Sequence, residues 1–218
     1  MFELWFPPDF YADTKRADFY NLIKKDFPQI FVPVAGPAES FALKPYDFKN
    51  NDGTRLIKYS INRFSFHTQE YSKGFEAFEE ECLKYTNLLI DFLKIQTLDR
   101  IGLRYINEIP VIRREGIIKL SDYLKISFDA PDFLTNDPEL FHYAVLAKVG
   151  DGKLRLLTQC QILPSGGEVI VLDFDYFFEN KIKAKDFNVF LSKAHDNIKN
   201  KIFLKLISDK YKTMLEKS

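Results

Sequence analysis

Two short stretches carry the residue types and spacings that could do chemistry. One is L-D-R-I-G-L-R-Y-I-N-E-I-P, Leu98 to Pro110, and the other is V-L-D-F-D-Y-F, Val171 to Phe177. Read as a strand, the first places Ile101, Leu103, Tyr105 and Ile109 on one side of the pleat, and Arg100, Gly102, Arg104, Ile106 and Glu108 on the other. Arg100 and Arg104 then stand about 13 Å apart on one face. Guanidinium forks so placed suit a carboxylate or a phosphate, which they grip bidentately. The plainer alternative is a solvated face laced with cross-strand ion pairs. Asn107 falls among the apolar positions, where a bulge or a hydrogen-bonded buried amide explains it as well as a ligand contact does.

Asp173 and Asp175 are two apart in the second stretch, so a strand puts both carboxylates on one face beyond Val169 and Val171. Hard oxygen ligands on one side of a rigid element are what magnesium or manganese requires. A metal site normally adds a third or fourth carboxylate, and none is recognisable by spacing. A structural polar cluster in which Asp173 or Asp175 faces Arg100 or Arg104 joins the two stretches more simply.

Other chemistry is thin. His67, His142 and His195 share no H-x-x-x-H or H-E-x-x-H spacing and read as solvated or core-edge residues. There is no G-x-S-x-G, Walker loop, G-x-G-x-x-G or C-x-x-C. Gly150, Gly152, Gly166 and Gly167 therefore belong to turns. Lys193, Lys201, Lys205 and Lys212 share a side of a C-terminal helix pattern, but Asp196, Asp209 and Glu216 intersperse them, as on a solvated face.

Lys plus Arg and Asp plus Glu both count 31, so the formal charge is zero. That argues against a generic binder of the nucleic-acid backbone, whose affinity rests on a basic surplus. The 22 Phe and 11 Tyr predict a core packed through rings. Cys82 and Cys160, both on apolar patterns, read as reduced, buried thiols of a cytosolic protein rather than a disulfide or zinc framework. The N-terminal M-F-E-L-W-F-P-P lacks a basic leader, and nowhere do about 18 apolar residues run uninterrupted, so neither a signal peptide nor a membrane span is expected.

The elements that must position these groups follow from periodicity. Asp13 to Asp26 reads as a short helix with Phe19, Leu22, Ile23 and Phe27 on one side, stopped by Pro28. Ile30 to Val34, interrupted by Pro33, reads as an edge strand or arm. Ser40 to Phe48 and Arg55 to His67 bracket the turn Asn50-Asn51-Asp52-Gly53, predicting a hairpin with Ile57, Tyr59 and Ile61 on one face of the longer strand. Ser72 to Ile95 switches to a helical period, with Phe75, Phe78, Cys82, Tyr85, Leu89 and Phe92 in a stripe. Four strands follow, Asp122 to Asp129, Leu140 to Val149, Lys153 to Leu163 and Glu168 to Phe177, separated by turn residues. A last helix, about Asp186 to Leu215, carries Phe187, Phe190, Leu191, Ala194, Ile198, Ile202 and Leu206 on its apolar side.

The expected fold class is α+β: an antiparallel curved sheet with two long helices packed on one face. The expected organisation is one domain over 1–218, with two pseudo-repeated strands-then-helix halves, 1–112 and 113–218, as its variant. A cavity between sheet and helix is the natural place for a small-molecule site.

R-I-G-L-R-Y-I-N-E-I at Arg100 to Ile109 resembles the RiGLRYiN core signature of a sporadically distributed prokaryotic family of uncharacterised proteins. So do the preceding R-F-S-F-H strand, the Y-S-K-G-F-E-A-F segment leading into a helix, and V-L-D-F-D-Y-F, which is similar to that family's later l-D-i-D-v strand. The resemblance spans roughly Arg63 to the C-terminus. It implies a cytoplasmic prokaryotic protein, brings no catalytic residues with it, and makes Arg100, Arg104, Tyr105, Asn107, Asp173 and Asp175 the signature positions.

The functional expectation is a non-enzymatic, cytosolic binding module. Arg100, Arg104, Tyr105, Asn107, Glu108, Asp173 and Asp175 would hold a small anionic ligand or a protein partner, with no cofactor and no membrane. The alternative is a metal-dependent phosphoester hydrolase or nuclease using Asp173 and Asp175 as ligands. Nucleic-acid binding through the C-terminal lysines ranks third.

Overall fold

The computed structural model describes residues 1–32, 44–69, 73–126 and 140–215. These fall into two compact units, Met1–Leu103 with Phe177–Ala194, and Arg104–Tyr176 with His195–Ser218.

In the first unit, period-2 alternation writes the sheet. β1 (Phe2–Trp5) buries Phe2 and Leu4 completely and turns Glu3 and Trp5 to the opposite face. β2 (Gln29–Phe31), β3 (Tyr46–Lys49), β4 (Arg55–Tyr59) and β5 (Arg63–Thr68) follow. They are hydrogen-bonded in the order β2-β3-β4-β5-β1, and the near end of β7 (Arg100–Pro110) lies on the far side of β1. The turn before β4 is as expected, with Phe48 opposite Ile57 and Gly53 at φ 74, a left-handed conformation that suits glycine. β2 is the edge strand of that order.

The long strand expected over Arg55 to His67 is two strands. The chain reverses at Ser60–Asn62, where the Ser60 N–H donates to the Arg63 carbonyl at 2.8 Å. The apolar alternation continues through this reversal because Tyr59 and Phe64 are direct cross-strand partners on the same face.

Two short helices, α1 (Phe10–Thr14) and α2 (Arg16–Ile23), cover that apolar face. The Phe19 ring stacks on Tyr59 at 4.9 Å. Phe19, Ile23 and Phe27 are buried as expected, whereas Leu22 is half exposed. α3 (Gly74–Leu93) lays Phe78, Cys82, Tyr85, Thr86, Leu89 and Leu93 against the core. Phe66 of β5 meets Phe78 and Tyr85, each at 5.8 Å between ring centroids. Truncating Phe66 to Ala would leave a void beneath the helix and cost about 3–5 kcal/mol. α3 ends on Lys94, which takes the left-handed cap conformation at φ 57. A separate two-stranded ribbon pairs β6 (Thr97–Leu98) with β11 (Ile182–Lys183).

In the second unit the order is β7, β10 (Glu168–Phe178), β9 (Gly152–Ile162), β8 (His142–Val149). The β8–β9 turn has Gly150 at φ 58 in its first central position, where a two-residue hairpin needs a left-handed residue. Ile170, Leu172, Phe174 and Tyr176 form the fully buried row of β10, while Val169, Val171, Asp173 and Asp175 form the other. The strand expected over Asp122 to Asp129 is not one where described: Leu120–Asp122 is a 3₁₀ turn, and Leu124 makes only an isolated bridge to Ile207. Residues 127–139, like the first four residues of the strand expected from Ser40 to Phe48, lie outside the described residues.

The single C-terminal helix is also corrected. α4 (Phe187–Asp196) passes into a π-helical segment (Asn197–Phe203), then α5 (Leu204–Leu206), and the chain extends at Ile207 (ψ 144) before α6 (Asp209–Leu215). The π turn takes more residues than an α turn and shifts the apolar stripe. Ile198 and Ile207 are buried, but Ile202 and Leu206 only half so. Among the described residues the fold class is thus mixed helix and strand, with a large antiparallel sheet of nine strands. No helix among the described residues is long and apolar enough to cross a membrane.

Candidate functional site

β7 is the predicted strand, and its faces divide as its alternation requires. Ile101, Leu103 and Ile109 are buried, Arg104, Tyr105 and Asn107 are half-buried, and Glu108 is exposed. Which partners its charged groups meet depends on the neighbouring strands.

In the first unit Arg100 meets a carboxylate that no motif pointed to. Glu3 of β1 is 4% exposed, and its Oε1 accepts from Arg100 Nη1 at 2.6 Å. Its other oxygen is held by the Arg63 guanidinium from β5. Two cations against one buried carboxylate form a clamp closed on itself. The indole of Trp5, 38% exposed, lies under both guanidiniums, 5.5 Å from Arg63 and 5.7 Å from Arg100. Phe177 takes the Arg100 guanidinium at 4.6 Å. Gly102 is part of this packing, because a Cβ there would come within 2.9 Å of Arg100 Nη1.

In the second unit the expected cross-sheet pair forms. Arg104 Nε donates to Asp173 Oδ1 at 2.7 Å and Nη2 to Oδ2 at 2.5 Å, a fork-on-fork bond between residues 69 apart in sequence. Asp175, on the same face of β10, accepts from Arg155 Nη2 of β9 at 3.3 Å. Tyr105, on the other face of β7, has its hydroxyl 2.9 Å from His195 Nδ1. The structure therefore brings Arg104 and Asp173 together, gives Arg100 to Glu3, and links Asp175 to Arg155.

The residues missed by sequence reasoning are Glu3, Trp5, Arg63 and His195. A period-2 signal for the first two was present in F-E-L-W, but the run is only four residues and Pro7-Pro8 follows at once.

Elsewhere the ionisable groups behave as their surroundings dictate. Burial pushes the Cys82 thiol well above its ordinary range and raises Cys160 too. Both are free thiols. Burial first, and then the bond to Asp26, pushes the Tyr85 hydroxyl up to about 12. The Lys193–Lys212 stripe is partly neutralised, with Lys201 paired to Asp196 at 3.3 Å and Lys212 to Asp209 at 3.2 Å. Among the described residues no three His, Cys, Asp or Glu side chains are grouped to hold a metal ion.

Comparison of the chain with protein-family models, with curated proteins and with solved structures finds no match in any of the three.

Proposed function

We propose that this protein is a non-enzymatic binding module that recognises an anionic group, on a small ligand or a protein partner, through the charged face of its sheet. The carrying observation is the exposed Trp5 ring lying under the Arg63 and Arg100 guanidiniums, which Glu3 clamps from within. An aromatic face beside immobilised arginines is the composition of a binding hot spot, because little side-chain entropy remains to be lost when an anion or acidic residue docks. Arg104, Glu108, Asp173 and Asp175 are proposed as the corresponding surface of the second unit, with Asp173 holding Arg104 in place, while Tyr105 and Asn107 belong to the opposite face of β7.

Trp5 is the only tryptophan, so its emission reports on the site directly. The test is a panel of phosphates, nucleotides and carboxylic acids, read by Trp5 fluorescence and thermal shift. A ligand at 100 times its Kd stabilises by about 2.7 kcal/mol. At least one anion should move both readouts in the parent protein, and the thermal shift should be lost in Trp5→Ala, which keeps no tryptophan to emit. A panel that moves nothing overturns the proposal.

The second reading is a metal-dependent phosphoester hydrolase or nuclease, favoured by two buried carboxylates on one face of β10. It is the weaker reading because Arg104 occupies both oxygens of Asp173 and Arg155 reaches Asp175, so a cation would have to displace them. Calorimetry with magnesium and manganese separates the two: binding that disappears in Asp173→Asn would favour the hydrolase.

A cytoplasmic, prokaryotic setting and the family resemblance belong to the same proposal, supported by the signature residues and the two reduced thiols. Descent from two repeated strands-then-helix halves is proposed on the same footing, since α3 and α4 each follow a run of strands.

A further inference from the structure

Along α3, Lys73 at its amino end, Ala77, Glu80, Glu81 and Lys84 recur at three- and four-residue spacing, so they share a flank of the helix beside the buried stripe. This flank borders a cavity of about 690 Å³, whose other wall is the β3–β4 turn, Asn50, Asp52, Thr54 and Arg55, with Asp26 from the chain after α2. The volume is that of an ordinary small-molecule site, about 300–1,000 Å³. The methyl group of Ala77 helps leave it open.

Most of the charge lining this cavity is already committed. Arg55 pairs with Glu81 while lying 5.6 Å over the Phe27 ring. Lys84 and the Tyr85 hydroxyl each donate to Asp26 Oδ2 at 2.8 Å. Three groups stand apart from these pairs. Lys73 and Glu80 are exposed and make no hydrogen bond or ion pair among the described residues. Among the described residues Asp52 is bonded only within its own turn, to the Thr54 N–H at 2.9 Å and hydroxyl at 2.6 Å.

A purely anionic ligand would meet Asp26, Asp52, Glu80 and Glu81, and a purely cationic one would meet Arg55, Lys73 and Lys84. A ligand with one charge of each sign at opposite ends escapes both conflicts. Lys73 and Glu80 are seven residues apart, about 10 Å along the helix axis. An extended peptide of two or three residues spans a similar length, at roughly 3.3–3.6 Å per residue.

The geometry points to this cleft as a binding site for a short zwitterionic peptide, its carboxylate at Lys73 beside the amino end of α3 and its ammonium at Glu80 or Asp52. The site is separate from the sheet face of the proposed function, and either can fail without the other.

The test is a titration with trialanine, followed by amide NMR shifts. The expected result is a Kd of about 1 mM or tighter, with shifts confined to residues 50–55 and 73–85. N-acetylated and C-amidated trialanine should each bind at least tenfold more weakly. Lys73→Gln, at an exposed position, should weaken trialanine about tenfold while leaving the C-amidated peptide unaffected, and Ala77→Trp should abolish the shifts by filling the cleft. Absence of shifts at 10 mM trialanine (~10 times that Kd), end-blocked peptides binding equally well, or shifts centred on Trp5, Arg63 and Arg100 instead would each overturn the assignment.

Discussion

The Arg104 guanidinium meets the Asp173 carboxylate edge to edge, Nε on Oδ1 and Nη2 on Oδ2, joining β7 to β10 through two parallel hydrogen bonds. The partners are unequally buried: the Asp173 side chain is 8% exposed and that of Arg104 is 32%. Losing one is therefore not equivalent to losing the other.

Arg104→Ala strands a carboxylate with little access to water, and should cost about 2–4 kcal/mol in urea unfolding. Asp173→Asn leaves a guanidinium able to swing toward solvent and should cost about half as much. Replacing both with Leu should recover most of the loss. Equal costs for the two single variants would mean that the carboxylate finds other donors and that the pair does not organise this face.

Gly102→Ala tests the first unit. Its new Cβ would crowd Arg100, which Glu3, Trp5 and Phe177 hold in place and which therefore cannot move without cost. The expected result is a loss of about 1–2 kcal/mol and a shift of Trp5 emission as the guanidinium leaves the ring. Unchanged emission and stability would show that the new methyl group is accommodated without moving Arg100 off the ring.

Stability should fall at both extremes of pH through the Lys84–Asp26 pair. The hydrogen bond from Lys84, then that from Tyr85, holds Asp26 below its ordinary value of 3.8, so its contribution is complete above that value and is lost as pH falls beneath it. The bond to Asp26 raises Lys84 above 10.5, so that contribution is complete below 10.5 and is lost as pH rises past the folded value. Lys84→Met should flatten the acid limb of a stability profile below about pH 4. Salt should weaken the effect, because the pair is largely exposed. An acid limb identical in the variant would remove this pair from the explanation.

The two thiols should differ in access. Cys82 is fully buried and Cys160 is 8% exposed, and burial holds both in the unreactive thiol form. Iodoacetamide should leave both unmodified in the native protein at pH 8. In mild denaturant it should label Cys160 before Cys82. Prompt native labelling of Cys82 would show that α3 opens locally.

Much of the fold is legible in particular residues. Arg100 to Pro110 is a strand because its side chains alternate, and Phe78, Cys82, Tyr85 and Leu89 make a helix face because they recur every three or four residues. The turns at Gly53, Gly150 and Gly166 announce themselves because glycine takes the left-handed conformation easily. Legibility fails where two local signals coincide. The alternation of β4 runs on into β5, so the reversal at Ser60–Asn62 is hidden. The 3.6-residue period of the last helix gives no warning of the π turn after Asp196, because its extra residue follows from packing.

What the sequence alone determined here is each segment's period, its apolar face and the charge it carries, since all three are properties of adjacent side chains. Tertiary structure decided who meets whom. β1 lies between β5 and β7, so Arg100 finds Glu3, 97 residues away; within the second unit Tyr105 finds His195 across 90. The physical reason is that strand order and register are set by which arrangement buries the most apolar surface over the whole chain, and no local window contains that comparison.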